Sequence, residues 1–307
     1  MKTKLLLFAA TEKGCKTLRT LLEKCPETLA AVVSFRDKLV DKDYFDDIKA
    51  LCDRYAVRFF VKTEFDKIES SFLDEAGVTL SILTGWRYLL PLSDYERRGI
   101  PVIIFHDSLL PRYRGFAPTA TAIFCGENLL GMTALFADDE MDTGDIILQK
   151  SFKNDGEMNV AAAIHKLAEL YAEAALEIID LLEHGQLRAT AQNHADATYS
   201  IWRDMRDCEI NWNDSAEKIH NFVRAVGSPY PGAYTYGDVG KIVIRKTSVV
   251  TDIFFEDRAP GKLWKLEGGC PIVVCGEGML KILSAEREDG SSADFTRLRV
   301  RLGSYRN

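Results

Sequence analysis

The 307-residue chain is 47% hydrophobic and 28% charged, values typical of a protein that buries a core. It has 46 acidic against 39 basic residues, and the resulting net charge of −7 disfavours non-specific binding to a nucleic-acid backbone. No apolar run approaches the roughly 18–20 residues that cross a bilayer, so we expect no membrane partner. The seven scattered cysteines, which contain no CxxC pair, are typical of reduced thiols in a cytoplasmic protein.

In the first half, short apolar runs alternate with amphipathic stretches. The predicted strands are 4–9, 29–34, 57–61, 80–84, 102–106, 132–136 and 146–152, and the predicted helices are 14–23, 44–55 and 159–183, with a turn or helix at 94–98. This alternation predicts an α/β fold with a doubly wound, mostly parallel sheet. The continuous apolar run Val102–Phe105 indicates a strand that is covered on both faces.

The pattern changes after Gly185. Residues 186–196 are polar and irregular, which is consistent with a linker. A helix is predicted over 214–226, with Ser215 as its N-cap. Short β-like runs follow at 233–236, 241–244, 261–264, 272–274 and 279–282, and they indicate a small β-rich barrel or sandwich. We therefore predict two domains, 1–200 and 201–307.

The usual phosphate-binding loops are missing, because the sequence contains neither GxGxxG after the first strand nor GxxxxGK[ST]. Sites in doubly wound sheets lie outside the carboxyl ends of the strands. Two segments in such positions carry candidate residues. One is the loop from His106 to Pro118, and the other is the acidic stretch 137–146. The acidic stretch lacks the spacing of a calcium loop, so no metal site is predicted.

Taken together, these segments resemble the signature of the 10-formyltetrahydrofolate-dependent formyltransferase family. The first reads HxSLLPxYRG from His106, and the second reads DTGD from Asp142, thirty-six residues later. Residues 209–212, 219–225 and 229–234 resemble the family's junction into its C-terminal barrel. The resemblance covers nearly the whole chain. It implies a Rossmann-like catalytic domain followed by an OB-like open barrel.

The resemblance also implies the site residues. His106 and Asp142 would be the catalytic pair, with the imidazole handling the amine proton and the carboxylate orienting the ring. The co-substrate would be 10-formyltetrahydrofolate, with no metal. Its expected contacts lie in the loop after the fourth strand, in the turn after His106 and in the acidic turn: Trp86, Arg87, Tyr88, Leu89, Ser108, Leu109, Asp138, Asp139 and Glu140.

One position departs from the family pattern. Most transferases of the family carry asparagine two residues before the histidine, where this chain has Ile104. Isoleucine has no hydrogen-bond donor for the formyl oxygen. The hydrolase domain of formyltetrahydrofolate dehydrogenase resembles this chain at that position. A folate hydrolase or a non-catalytic folate-binding regulator therefore remains a third alternative.

The acceptor is predicted from charge. The stretch Ser34–Tyr55, where tRNA-specific members carry a basic insertion, has five basic against six acidic residues and is short. This favours a small amine acceptor, such as a nucleotide-linked 4-aminosugar. Arg112, Arg114 and Arg224 are then candidates for binding a diphosphate or carboxylate. A methionyl-tRNA formyltransferase is the second alternative, and a homodimer is left open.

Overall fold

The computed structural model describes residues 2–37, 42–238 and 240–303. Nine strands lie in the first 200 residues: β1 (Leu5–Ala9), β2 (Leu29–Ser34), β3 (Phe59–Val61), β4 (Leu80–Thr84), β5 (Val102–His106), β6 (Arg114–Gly115), β7 (Leu129–Phe136), β8 (Ile146–Lys153) and β9 (Tyr199–Ser200). Seven of them form one sheet in the order β3-β2-β1-β4-β5-β7-β8. Strands β1 to β5 are parallel, and β7 and β8 are antiparallel to their neighbours. The predicted mostly parallel, doubly wound sheet is therefore confirmed.

Both faces of this sheet are covered. Among the described residues the α-helices are α1 (Thr11–Lys24), α2 (Phe45–Tyr55), α3 (Lys62–Phe65), α4 (Glu69–Glu75), α5 (Leu92–Glu96), α6 (Pro118–Phe124), α7 (Val160–Glu183) and α8 (Ala216–Ala225). Of these, α8 and nearly all of α6 belong to a second compact unit, described below. Leu5 and Leu7 of β1 pack in one core with α1, α2 and α7, whereas Leu6 and Phe8 pack in a second core with α3, α4 and α5. Because alternate strand residues point to opposite faces, burial of both faces requires a continuous apolar run.

The helices α3, α4 and α6 were not predicted from the sequence. They have only four to seven residues each, a length at which an isolated helix is unstable in water. Burial of Phe65 in α3 and of Phe72 in α4 holds the first two in place. In the sequence, α3 and α4 are therefore marked by single aromatic residues and not by apolar residues repeated at helical spacing.

The strand order reverses between β1 and β4, since the chain runs outward through β2 and β3 before it returns to β4. At this point Gly85, which follows β4, lies against the start of α1. A Cβ on Gly85 would come within 2.4 Å of Thr11 Oγ1, and its φ of +62° also favours glycine. The crevice at the carboxyl ends of β1, β4 and β5 is therefore the expected ligand position in this fold.

The C-terminal region forms a five-stranded antiparallel sheet. Its strands are β10 (Ala233–Gly237), β11 (Gly240–Val250), β12 (Leu263–Glu267), β13 (Cys270–Val274) and β14 (Met279–Arg287), in the order β10-β11-β14-β13-β12. This agrees with the β-rich second half predicted from the sequence. Helix α8 begins as predicted, because Ser215 Oγ accepts a hydrogen bond from the backbone N–H of Lys218 at 3.2 Å.

Two compact units are distinguished by their internal contacts. The second consists of residues 119–128, 154–161 and the chain from Trp202 onward, and the first contains the other described residues. The division of function between residues 1–200 and 201–307 stays a prediction. In the described ranges no helix has both the length and the apolar character needed to cross a membrane. The same ranges contain no group of three or more potential ligands placed to hold a metal ion.

Candidate active site

His106 and Asp142 are brought together at the carboxyl end of β5. The His106 ring is 8% exposed, and its Nδ1 lies 3.4 Å from Asp142 Oδ1. The other ring nitrogen, Nε2, lies 2.8 Å from the carbonyl oxygen of Tyr113. A carbonyl oxygen can only accept, so Nε2 donates this hydrogen bond. Nδ1 is therefore the nitrogen that faces the carboxylate.

The turn that carries Asp142 has a backbone conformation that few residues adopt. Asp142 has a φ of +58°, in the left-handed region where aspartate is better tolerated than most residues. Its Oδ2 accepts a 2.8 Å hydrogen bond from the N–H of Gly115, so both carboxylate oxygens are directed into the site. At Gly144, a Cβ would lie 1.9 Å from Phe136 O. Asp142 and Gly144 of the DTGD motif thus both fit the backbone shape of this turn.

Ser108 and Leu109 build the loop after His106. Ser108 Oγ donates a 2.6 Å hydrogen bond to Arg112 O, and Thr133 Oγ1 donates a 2.6 Å bond to Ser108 O. Leu109 lies over Gly131 of β7, where a Cβ would come within 2.7 Å of Leu109 Cδ2. The structure therefore gives Ser108 and Leu109 defined roles in holding the loop against the sheet.

Arg114 reaches the site through a residue that the sequence did not single out. Arg114 is 2% exposed, and its guanidinium donates to Gln192 Oε1 at 2.7 and 3.2 Å. Gln192 Nε2 donates in turn to Asp142 O at 2.8 Å and Gly144 O at 2.7 Å. The interpretation of residues 186–196 as a linker is wrong at Gln192, which is 6% exposed and holds the Asp142 turn. No local pattern in the sequence indicates this contact.

The other two candidate arginines differ sharply. Arg112 is exposed beside Tyr113, and its guanidinium donates a 3.1 Å hydrogen bond to the Tyr113 hydroxyl. Arg224 belongs to the other compact unit and is 6% exposed. It donates to Asn221 Oδ1 at 2.7 Å and Met158 O at 2.9 Å, and burial lowers its pKa. Of the three arginines, only Arg112 is accessible to an anionic ligand without breaking buried contacts.

The loop after β4 combines buried and exposed aromatic residues. The Trp86 ring packs edge-on against Phe8 and Phe35, at centroid distances of 5.0 and 5.1 Å. Its indole N–H is buried and has no acceptor among the described residues. Arg87 forms an ion pair with Asp37, and Tyr88 is 42% exposed.

Next to these residues, Leu89 is 93% exposed. Tyr88 and Leu89 therefore present apolar surface to a ligand just after the carboxyl end of β4.

The acidic turn after β7 begins beside the start of β5, since the Ala137 N–H donates to Val102 O at 2.8 Å. Asp138, Asp139 and Glu140 are exposed. Both carboxylate oxygens of Asp138 accept hydrogen bonds within the turn, one from the Asp139 N–H and the other from the Thr143 hydroxyl. A cavity of about 290 Å³ lies between the start of this turn and the chain around β5, and it is lined in part by Leu92, Phe136 and Ala137. Phe136 and Ala137, at the start of the turn, are therefore accessible from this cavity.

The sequence comparisons agree with this geometry. The family model described as formyl transferase matches residues 9–179, and the model of its C-terminal domain matches residues 204–298. The chain belongs to the formyltransferase family. The predicted family and the predicted enzyme class are thereby confirmed.

Named relatives of this formyltransferase cover most of the chain. Methionyl-tRNA formyltransferase of Syntrophomonas wolfei is 34% identical over 78% of this chain and 76% of its own length. The enzyme of the same name from Caldanaerobacter subterraneus is 31% identical over 93% and 92%. Among solved structures, the N-formyltransferase of Helicobacter canadensis, in complex with folinic acid and dTDP-3-aminofucose, has a TM-score of 0.66 at 15% identity and covers 91% of this chain and 98% of its own. At that identity, the likeness shows the fold alone.

Proposed function

We propose that this formyltransferase transfers the formyl group of 10-formyltetrahydrofolate to the amine of methionyl-tRNA, with His106 and Asp142 as the catalytic pair. The observation that carries this proposal is the approach of His106 Nδ1 to Asp142 Oδ1 at the carboxyl edge of the sheet. The co-substrate is the one that the sequence predicted, and it is the co-substrate of the family.

The chemistry follows from the two ring nitrogens of His106. A neutral amine attacks the formyl carbon, and the amine must then lose a proton. His106 Nε2 already donates to Tyr113 O, so Nδ1 is the nitrogen that can accept this proton. The Asp142 carboxylate at 3.4 Å stabilises the cation that forms. The proton then passes to the folate nitrogen as the carbon–nitrogen bond to the donor breaks.

The missing donor at Ile104 bears on the rate. Ile104 lies on β5 two residues before His106, and its side chain offers no hydrogen bond to a developing oxyanion. Loss of one such donor typically costs about 3 kcal/mol of transition-state stabilisation. We therefore expect slow turnover, and we retain hydrolysis of the formyl-folate as an outcome of the test.

For the folate we propose a position between the loop Trp86–Leu89 and the turn Asp138–Glu140. The exposed side chains of Tyr88 and Leu89 support this position. Arg112 is proposed to contact an acceptor phosphate or carboxylate. Residues 1–200 would then form the catalytic domain and residues 201–307 a second domain that follows it.

Two observations point to different acceptors. The relatives named methionyl-tRNA formyltransferase support tRNA as the acceptor. They therefore place tRNA ahead of the small amine that the charge balance favoured. The charge balance of residues 34–55 supports a second candidate, a nucleotide-linked aminosugar. Arg36 pairs with Asp46 and Lys49 with Asp53, each at 2.7 Å, so these cations already have partners. Lys38 and Asp41 of this stretch lie outside the described residues.

The test follows tetrahydrofolate release from 10-formyltetrahydrofolate by absorbance. Three reactions are compared: one without an acceptor, one with initiator methionyl-tRNA, and one with each of a panel of nucleotide aminosugars. His106→Ala is the inactive variant, and His165→Ala, at an exposed histidine, is its matched control. Release that needs methionyl-tRNA and is lost only in His106→Ala supports the proposal. If tetrahydrofolate release requires an aminosugar, the acceptor is the second candidate and not tRNA. If release is the same with every acceptor and without one, the protein is a hydrolase.

A further inference from the structure

Behind His106, the next residue along the chain carries a partly buried carboxylate that contacts side chains of two helices. Lys13 Nζ of α1 forms an ion pair with Asp107 Oδ2, and the Tyr171 hydroxyl of α7 donates a hydrogen bond to Asp107 Oδ1. We propose that Lys13, Asp107 and Tyr171, the anchor cluster, are positioning residues that keep the His106 ring against Asp142. This inference rests on the catalytic role of His106 proposed above.

Tyr171 holds both chain neighbours of His106. Besides its bond to Asp107, its hydroxyl lies 2.9 Å from Phe105 O. Its ring meets the Phe105 ring edge-on, with centroids 5.1 Å apart and an interplanar angle of 89°. The residues on either side of His106 are therefore both fixed to α7, which restricts the backbone from which the imidazole projects.

The anchor cluster pairs two opposite charges that are partly shielded from solvent with one buried hydroxyl. The side chains of Lys13 and Asp107 are 12% and 15% exposed, and Tyr171 is fully buried. Burial alone raises the pKa of the Asp107 carboxyl, but Lys13 and the Tyr171 hydroxyl outweigh it and hold this pKa below its usual range. Burial and the Asp107 carboxylate raise the pKa of Tyr171, so its hydroxyl remains a donor. The cluster is thus assembled at neutral pH.

The anchor cluster contacts a different set of groups from the catalytic pair. The His106 ring meets Tyr113 O and Asp142, whereas Asp107 meets α1 and α7. Successive residues at a strand end project to opposite sides, which accounts for this separation. Loss of the cluster should therefore alter the placement of His106 while leaving the proposed folate contacts in place.

The experiment compares Asp107→Asn, Lys13→Met and the double variant with the wild-type enzyme. A displacement of about 1 Å at a catalytic group can cost roughly 100-fold in rate, so we expect Asp107→Asn to lower kcat by about 10- to 100-fold with an unchanged KM for 10-formyltetrahydrofolate. Lys13→Met leaves the partly buried Asp107 carboxylate without its cation and should also lower Tm. The double variant should recover Tm but not kcat. Lys16→Met, on the exposed side of α1, is the matched control.

Two results would overturn the inference. If kcat recovers together with Tm in the double variant, the cluster contributes only to stability. If the wild-type enzyme transfers no formyl group, the proposed function fails, and a second readout then decides on positioning. The ring-proton NMR signals of His106, assigned by their absence in His106→Ala, should shift in Asp107→Asn, and unchanged signals would contradict the proposal.

Discussion

Gln192 holds the turn of Asp142 by donating its side-chain amide to the Asp142 carbonyl oxygen, 2.8 Å away, across fifty residues of sequence. The same amide donates to Gly144 O, and Arg114 fixes the amide's orientation by donating to its oxygen. The left-handed conformation of Asp142 is one that most residues avoid, and such conformations persist only where the surroundings impose them. Gln192 supplies part of that constraint.

Gln192→Ala is expected to release the Asp142 turn. It removes both amide donors and leaves two buried carbonyl oxygens and the Arg114 guanidinium without this partner. We expect kcat to fall by about 10-fold or more, since the carboxylate is no longer held at the His106 ring. Steady-state kinetics of formyl transfer measure this. Gln186→Ala, at an exposed glutamine just after α7, should leave kcat unchanged.

Asp142→Asn tests the charge of the carboxylate separately from the shape of the turn. Asparagine also tolerates the left-handed conformation, so the fold should be kept. The amide carries no charge to stabilise a protonated imidazole, and we expect kcat to fall by about 100-fold or more.

Circular dichroism and steady-state kinetics on the same preparation separate the two effects. Asp180→Asn, at an exposed aspartate of α7 away from the site, is the control and should behave like the wild type. Full activity in Asp142→Asn would exclude Asp142 from the proposed catalytic pair.

Gly131→Ala tests the contact between the site loop and β7. The added Cβ would lie 2.3 Å from Lys150 O and 2.7 Å from Leu109 Cδ2, so the sheet or the loop must move. Overpacking of this kind typically costs about 1–3 kcal/mol of unfolding free energy. Urea denaturation measures the change. Gly227→Ala meets its nearest atom only at 3.7 Å and should be close to neutral.

Glu69→Gln should change the pH dependence of stability. The Tyr95 hydroxyl donates to Glu69, and burial raises the pKa of the Glu69 carboxyl in the folded state. The contribution of such a group to stability is present at low pH and is lost as pH rises from the unfolded-state pKa, about 4.3, through the folded-state pKa. Glutamine stays uncharged and still accepts from Tyr95.

The unfolding free energy of Glu69→Gln relative to the wild type should therefore increase from pH 4.5 to pH 7. Urea denaturation at the two pH values measures this difference. The exposed Glu64→Gln should show no such trend. A difference that is constant between the two pH values would contradict the role given to burial.

The local sequence was sufficient to predict features that depend only on neighbouring residues. The run Val102–His106 gave its strand bounds directly, because a strand buried on both faces must be apolar throughout. The local sequence also predicted Ser215 as an N-cap. The motif around His106 and the DTGD at Asp142 carried the resemblance to the formyltransferase family, and that resemblance implied the proposed catalytic pair.

The features that the local sequence did not reveal are contacts between residues far apart along the chain. Arg114 was a candidate for an anionic ligand, but its guanidinium is buried against Gln192, seventy-eight residues away. Gln192 itself lies in a segment without periodicity, so nothing around it indicated burial. The short helices α3 and α4 exist because Phe65 and Phe72 enter a core built by other elements.

The amino-acid sequence by itself therefore determined the fold class and the family, and it predicted His106 and Asp142 as the catalytic pair. The tertiary structure decided which polar side chains remain accessible and which support the site from behind, as Lys13, Asp107 and Tyr171 do. The physical reason is that periodicity and motif spacing are local properties of a chain. Burial and charge pairing are set by the elements that pack around a residue, and these are distant in sequence.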